Sequence, residues 1–216
     1  MAAEPLPGPL SGRRLVLVRH GRTAWNAEGR AQGHADVSLD DTGRDQAEAM
    51  APAVASYDPV MLVSSDLARA RETAAFLEKE TGLTATEDAR LREFDLGERT
   101  GLTREEFAER SDGEAAWDVH AHADVSGAET GEQVAVRIVP ACLEVLELLR
   151  PGETAVLVLH GAALRVAVTG LLGWPLGTAD GLAAVGNCAW AVLEDSRVGR
   201  LRLSGYNLTA PPGDDG

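Results

Sequence analysis

"RRLVLVRHGRTAWN", Arg13 to Asn26, decides how the chain is read. Leu15, Val16, Leu17 and Val18 are apolar without a break. Successive side chains of a strand point to opposite faces, so an unbroken run asks for cover on both sides, as in a parallel sheet between helices. The run then stops at Arg19, His20 and Gly21, two polar residues and a turn former at a strand end. "VMLVSS" (60–65) and "TAVLVLH" (154–160) have the same character, and "CAWAVLE" (188–194) and "RLRLSGY" (200–206) also read as strands.

Helical patterns fill the intervals. "DDTGRDQAEAMAPAVASY" (40–57) moves from polar starters into Ala-rich turns, with Pro52 placed to kink it. "DLARARETAAFLEKETG" (66–82) offers Asp66 as N-cap and Gly82 as terminator. "EQVAVRIVPACLEVLELLRPG" runs up to Pro151-Gly152, and "GAALRVAVTGLLG" follows a strand directly. Strand–helix alternation predicts an α/β fold: three layers, α/β/α, around a mostly parallel sheet. Residues 97–130 lack a strong strand and read as a small inserted, lid-like region. One domain is expected over 13–208, between flexible tails at 1–12 and 209–216 rich in Pro, Gly and acidic residues.

Composition limits the function. Of 216 residues, 34 are acidic and 20 basic, a net charge of −14. That balance opposes non-specific binding to nucleic acid or to an anionic membrane, both of which need positive potential. Lys79 is the only lysine, so a single arginine says little about an anion site and only convergence counts. Cys142 and Cys188 lie far apart without metal-ligand spacing and read as reduced core residues. The first residues show no secretory signal, and no apolar run approaches the roughly 20 residues of a membrane span. A cytoplasmic protein is expected.

In open α/β sheets, ligands sit beyond the carboxyl ends of the strands. Arg19-His20, Ser64-Ser65 and His160-Gly161 all fall there, so two histidines from separate strands are brought to one crevice. At this point the order of segments becomes informative. "LVRHGRTAWN", "GRAQGHADVSLDDTGRDQA" (29–47), "SSDLARARETA" (64–74), "LREFDLGE" (91–98), "AETGEQVAVR" (128–137) and "VLHGAALR" (158–165) together resemble the histidine phosphatase superfamily, in its phosphoglycerate mutase-like branch.

The resemblance implies a mechanism and its residues. His20 is the nucleophile, forming a phosphohistidine that water cleaves. Arg19, Arg69 and His160 surround the phosphoryl oxygens, and Arg69 enters from the start of the second helix, whose dipole favours an anion. Glu93, the glutamate of "LRE", is the general acid, since Gly161-Ala162 stand where other branches place theirs. Thr23, Asn26, Gln32, Gly33, Gly161 and Ala162 match positions lining the phosphate or substrate pocket. No metal and no cofactor are implied. "HAHAD", with His120, His122 and Asp124, reads as surface residues over the pocket mouth rather than a metal motif. The partner is a small-molecule phosphate ester, with no nucleic acid and no membrane; the oligomeric state is unread, a homodimer being one option.

Two departures stand out. The family's Gly-Glu-Ser segment is here Ala128-Glu129-Thr130, and the aromatic usual after "LGE" is Arg99. A metal-independent phosphomonoesterase acting on a sugar phosphate or phosphoglycerate-type metabolite is the expected function. A cofactor-dependent phosphoglycerate mutase is the alternative. Against it stand the chain's length, the absence of an Arg-rich stretch between Leu102 and Val125, and Ala162 where mutases carry Asn. A non-catalytic phospholigand-binding module is the alternative of another class; it is disfavoured because His20, Glu93 and the arginines are all present.

Overall fold

The computed structural model describes residues 12–110, 125–195 and 200–211. Its elements are β1 (Arg14–Arg19), α1 (Ala24–Ala27), α2 (Asp41–Ala55), β2 (Pro59–Ser64), α3 (Ala68–Thr81), β3 (Thr86–Glu87), α4 (Arg104–Arg110), α5 (Gly131–Leu148), β4 (Thr154–Leu159), α6 (Gly161–Leu171), β5 (Trp190–Asp195) and β6 (Leu201–Leu208). The strands form one sheet in the order β3-β2-β4-β1-β5-β6. The pairings of β1 with β4, β4 with β2 and β2 with β3 are parallel, while β5 and β6 join antiparallel. The expected α/β architecture is therefore present, with an antiparallel edge.

Side-chain alternation divides the core as the unbroken apolar runs require. Leu15 and Leu17 of β1, with Ala155, Leu157 and Leu159 of β4, pack against α5 and α6. Val16, Val18, Val156 and Val158 point the other way, against α2 and α3. All four apolar residues of β1 are fully buried.

Several boundaries differ from the sequence reading. Asp66 does not cap α3, because Arg92 pairs with it through Nε at 2.7 Å. Leu67 is the N-cap residue, and Asp36 from a distant loop accepts from the Ala68 N–H at 2.6 Å. The first turn of α3 is thus already held by a carboxylate, which leaves less of its dipole for a ligand. α2 continues through Pro52, which lies on its exposed side. α5 stops at Leu148 because Leu149 turns extended and buries its side chain in the core. β3 spans two residues, too few for any alternation to register.

The described residues that begin the 97–130 stretch pack on the loop after α1. Ala31 and Gly101 exchange backbone hydrogen bonds with Leu102 and Ala31, and Arg30 reaches the Gly101 carbonyl at 2.9 Å. Leu96 and Ala128 form a bridge across its neck. Trp117, His120, His122 and Asp124 lie outside the described residues. Among the described residues, no helix is long and apolar enough to cross a membrane.

Candidate active site

Parallel pairing of β1 with β4 sets Arg19 opposite Leu159, so the next residues, His20 and His160, emerge side by side. Their ring centroids are 5.1 Å apart and tilted by 56°. Gly21 follows His20 because the chain must turn under α2. A Cβ on Gly21 would lie 2.5 Å from the Gly43 carbonyl oxygen, so nothing larger fits.

The two imidazoles are held in defined tautomers. His20 Nδ1 lies 2.7 Å from the Gly21 carbonyl oxygen. A carbonyl only accepts, so Nδ1 carries the proton and Nε2 keeps its lone pair. His160 Nδ1 accepts from Arg69 Nε at 3.2 Å, which places its proton on Nε2, 2.8 Å from Ser65 Oγ. Burial, followed by the positive charge of Arg69, holds both histidines well below their ordinary pKa. Both are therefore neutral near pH 7.

Arg69, in the first turn of α3, is fully buried. Its Nη1 donates to the Ala35 carbonyl at 2.8 Å and its Nη2 to the Gly33 carbonyl at 2.7 Å. Burial pushes its pKa down to about 10, against the pull of Glu93 and Asp36, so it remains a cation at neutral pH. Arg19 donates through Nη1 to the Val185 carbonyl at 2.5 Å. Its guanidinium lies against Gly161, where a Cβ would come within 3.2 Å of Nε. A side chain at 161 would press on Arg19, which would have to give by a few tenths of an ångström.

Glu93 meets the N-terminus of α6. Among the described residues, its Oε1 accepts from the N–H groups of Ala163 (2.9 Å) and Phe94 (3.0 Å), and its Oε2 accepts only from Ala162, at 3.1 Å. Oε2 thus has the greater room for a proton. The backbone under Glu93 is gripped by Arg137, an α5 residue that no sequence argument singled out. Arg137 Nη1 donates to the carbonyls of Arg90 and Arg92, and Nη2 to that of Glu93, at 2.7–2.8 Å. Glu129 fixes Arg137 in turn, at 2.9 Å to Nε and 2.7 Å to Nη2, and accepts from Asp95 N–H at 2.8 Å. His34 Nε2 adds a further bond to the Glu93 carbonyl, at 2.8 Å. A helix-borne arginine looks in sequence like a surface residue; its place eight residues after Glu129 was the available signal.

A cleft of about 320 Å³ gathers Arg19, His20, Arg69 and Glu93, with Asn26, Gln32, Gly33 and Ala162 from the set named in sequence. Gln32 is buried there with its Oε1 unbonded. Trp25, Arg30 and Arg99 also line it. Arg99 is buried, its Cζ 5.2 Å from the Phe107 ring centroid. Thr23, by contrast, is fully buried beneath the cleft and caps α1, accepting from the Asn26 N–H at 3.1 Å. His160 is buried behind His20 and Arg69, and Gly161 lines a neighbouring lobe. Asn187, another residue not singled out, donates to the His20 carbonyl at 3.0 Å. Trp190 belongs to the core, donating to Tyr57 Oη at 3.3 Å, and both cysteines are buried free thiols.

The sequence model of the histidine phosphatase superfamily (branch 1) matches residues 15–209. The chain is 38% identical over 220 residues to glucosyl-3-phosphoglycerate phosphatase of Mycolicibacterium vanbaalenii, covering 94% of this chain and 98% of that one. It is 34% identical to the Mycobacterium tuberculosis protein of the same name, over 95% and 99% of the two chains. A Salmonella paratyphi C protein named probable phosphoglycerate mutase GpmB is 35% identical over 75% of this chain and 76% of its own. Among solved structures, mycobacterial glucosyl-3-phosphoglycerate phosphatase in complex with VO3 superimposes with a TM-score of 0.82 at 35% identity, over 91% of this chain and all of that one.

Proposed function

The chain belongs to the histidine phosphatase superfamily, branch 1, and from that premise we propose that it hydrolyses a small phosphomonoester through a phosphohistidine, without a metal. The observation that carries this reading is the state of His20. It is neutral, with Nδ1–H fixed on the Gly21 carbonyl and Nε2 without a hydrogen-bond partner among the described residues, beside two arginines.

In the first step, His20 Nε2 attacks phosphorus in line, the P–N bond forms and the bond to the leaving oxygen breaks. Glu93 gives that oxygen its proton from Oε2. Arg19 and Arg69 balance charge on the phosphoryl oxygens, and His160 has a proton on Nε2 to donate to them when it leaves Ser65. The phosphoimidazolium keeps its Nδ1–H on the Gly21 carbonyl. In the second step, water attacks phosphorus and yields a proton to the Glu93 carboxylate. The P–N bond breaks, releasing phosphate, and both residues return to their starting states. Asn26 and Gln32 face the same cleft and serve to orient the ester.

The substrate class we favour is a phosphoglycerate-type ester, glucosyl-3-phosphoglycerate first among them, because two relatives of nearly full coverage carry that name. The single-domain organisation and a cytoplasmic setting, suited to two free thiols, form part of the same proposal. The test is phosphate release from a panel of aryl, sugar and glycerate phosphates, in excess chelator, with His20→Ala as control. Release that disappears in the variant is expected, ranked in favour of the glycerate esters. Isomerisation of 3-phosphoglycerate in place of release would make the protein a mutase.

A further inference from the structure

The cleft does not end at Glu93. A second lobe of about 190 Å³ opens beyond it, sharing Arg19, Glu93 and Ala162 with the main cleft and adding Arg165 and the Ala184–Val185 wall. Arg165 stands on α6 one turn beyond Gly161 and Ala162, on the same side of the helix. The facing wall is fixed from β6, where the Tyr206 hydroxyl donates to the Ala183 carbonyl and Asn207 Oδ1 accepts from Gly186 N–H.

The charge state of this lobe is unusual for so acidic a chain. In the main lobe, Arg30 is paired with Glu28 and Glu106 at 2.8 and 2.7 Å. Arg69 is occupied by two carbonyls. Among the described residues, Arg165 has one hydrogen bond, a long one of 3.4 Å to the Ala179 carbonyl, and no carboxylate lies within ion-pair distance of it. Arg19, which forms the floor, spends one of its N–H donors on the Val185 carbonyl. Two guanidinium groups with unused donors thus face one small cavity next to the proton donor.

We propose that this lobe is a carboxylate subsite, and that Arg165 selects phosphomonoesters bearing a carboxylate within about two carbons of the ester oxygen. A planar guanidinium matches a carboxylate in a two-point contact. With phosphorus at His20 and the ester oxygen at Glu93 Oε2, the carboxylate enters the Arg165 lobe. The remaining substituent extends toward Trp25 in the larger one. The proposal rests on the hydrolase reading above and adds to it the residue that recognises the acid group.

The experiment compares kcat/KM for 3-phosphoglycerate and for glycerol 1-phosphate, which differ by a carboxylate against a hydroxymethyl group. The wild-type protein is expected to favour 3-phosphoglycerate by tenfold or more. In Arg165→Gln that ratio should fall at least tenfold, mainly through KM, and in Arg165→Lys by less. A wild-type ratio near one overturns the proposal without any variant. So does an Arg165→Gln ratio that stays at the wild-type value, whatever the absolute rates. Absence of His20-dependent phosphate release from both esters and from 4-nitrophenyl phosphate refutes instead the hydrolase reading on which the proposal stands.

Discussion

At His20 two effects act on the imidazole in opposite directions. Burial and the charges of Arg69 and Arg19 lower its proton affinity, while the Gly21 carbonyl raises it, and the lowering dominates. Glu93 completes the chemistry, and its role separates by leaving group. Glu93→Gln keeps the side chain's shape but removes the transferable proton. It should slow an alkyl ester such as glycerol 1-phosphate by about a hundredfold or more. 4-Nitrophenyl phosphate, whose leaving oxygen needs little protonation, should slow less than about tenfold. The kcat/KM values of the two esters, which report phosphoryl transfer to His20 and not the later hydrolysis, check this, and equal losses would remove Glu93 from the acid role. Arg19, His20 and His160 were legible in sequence because polar residues at the ends of unbroken apolar strands have few structural reasons to be there. Thr23 was not separable from its neighbour Asn26. A cap and a pocket residue of the same polarity look alike until the helix is in place.

Among the elements, α5 does the least visible work. Its Arg137 ties together three carbonyls of the segment that carries Glu93, and Glu129 holds it in that posture. Arg137→Ala should let Glu93 drift, lowering kcat/KM for alkyl esters by about ten- to a hundredfold while sparing that for aryl esters. Added to Glu93→Gln, the same change should cost little more, since residues acting through one another are not additive. Parallel losses on both ester types would assign Arg137 a merely structural place. The strands and long helices were readable because their apolar periods are long and regular. What escaped was set by tertiary partners: Arg92 takes Asp66 away from the α3 cap, and Asp36 replaces it from a loop about thirty residues earlier. β3 exists only because β2 offers it an edge.

The whole molecule carries a net charge of −14 yet gathers arginines at one end of its sheet. Burying two neutral histidines there couples stability to pH. His20 and His160 both have pKa values held well below 6.5 in the folded state. The unfolded chain therefore binds more protons as pH falls through 6.5, and stability must drop. Each histidine contributes a slope of up to about 1.4 kcal/mol per pH unit between 6.5 and its folded pKa. The depressed carboxylates, Glu129 and Asp66 among them, act in a separate window at lower pH. Urea midpoints should therefore decline from pH 7 to 5, and decline less steeply in His160→Gln. A flat wild-type profile over that range would contradict the neutral buried pair.

The central claim is that His20 forms a covalent bond to phosphorus, and trapping that bond is its most direct test. The protein would be mixed with 4-nitrophenyl phosphate, quenched in alkali within the first turnover and digested, and the phosphorylated peptide identified by mass spectrometry. The account predicts an alkali-stable, acid-labile phosphate on His20, absent from His20→Ala and longer-lived in Glu93→Gln. Turnover without any trapped phosphate, or with the phosphate on another residue, would contradict it.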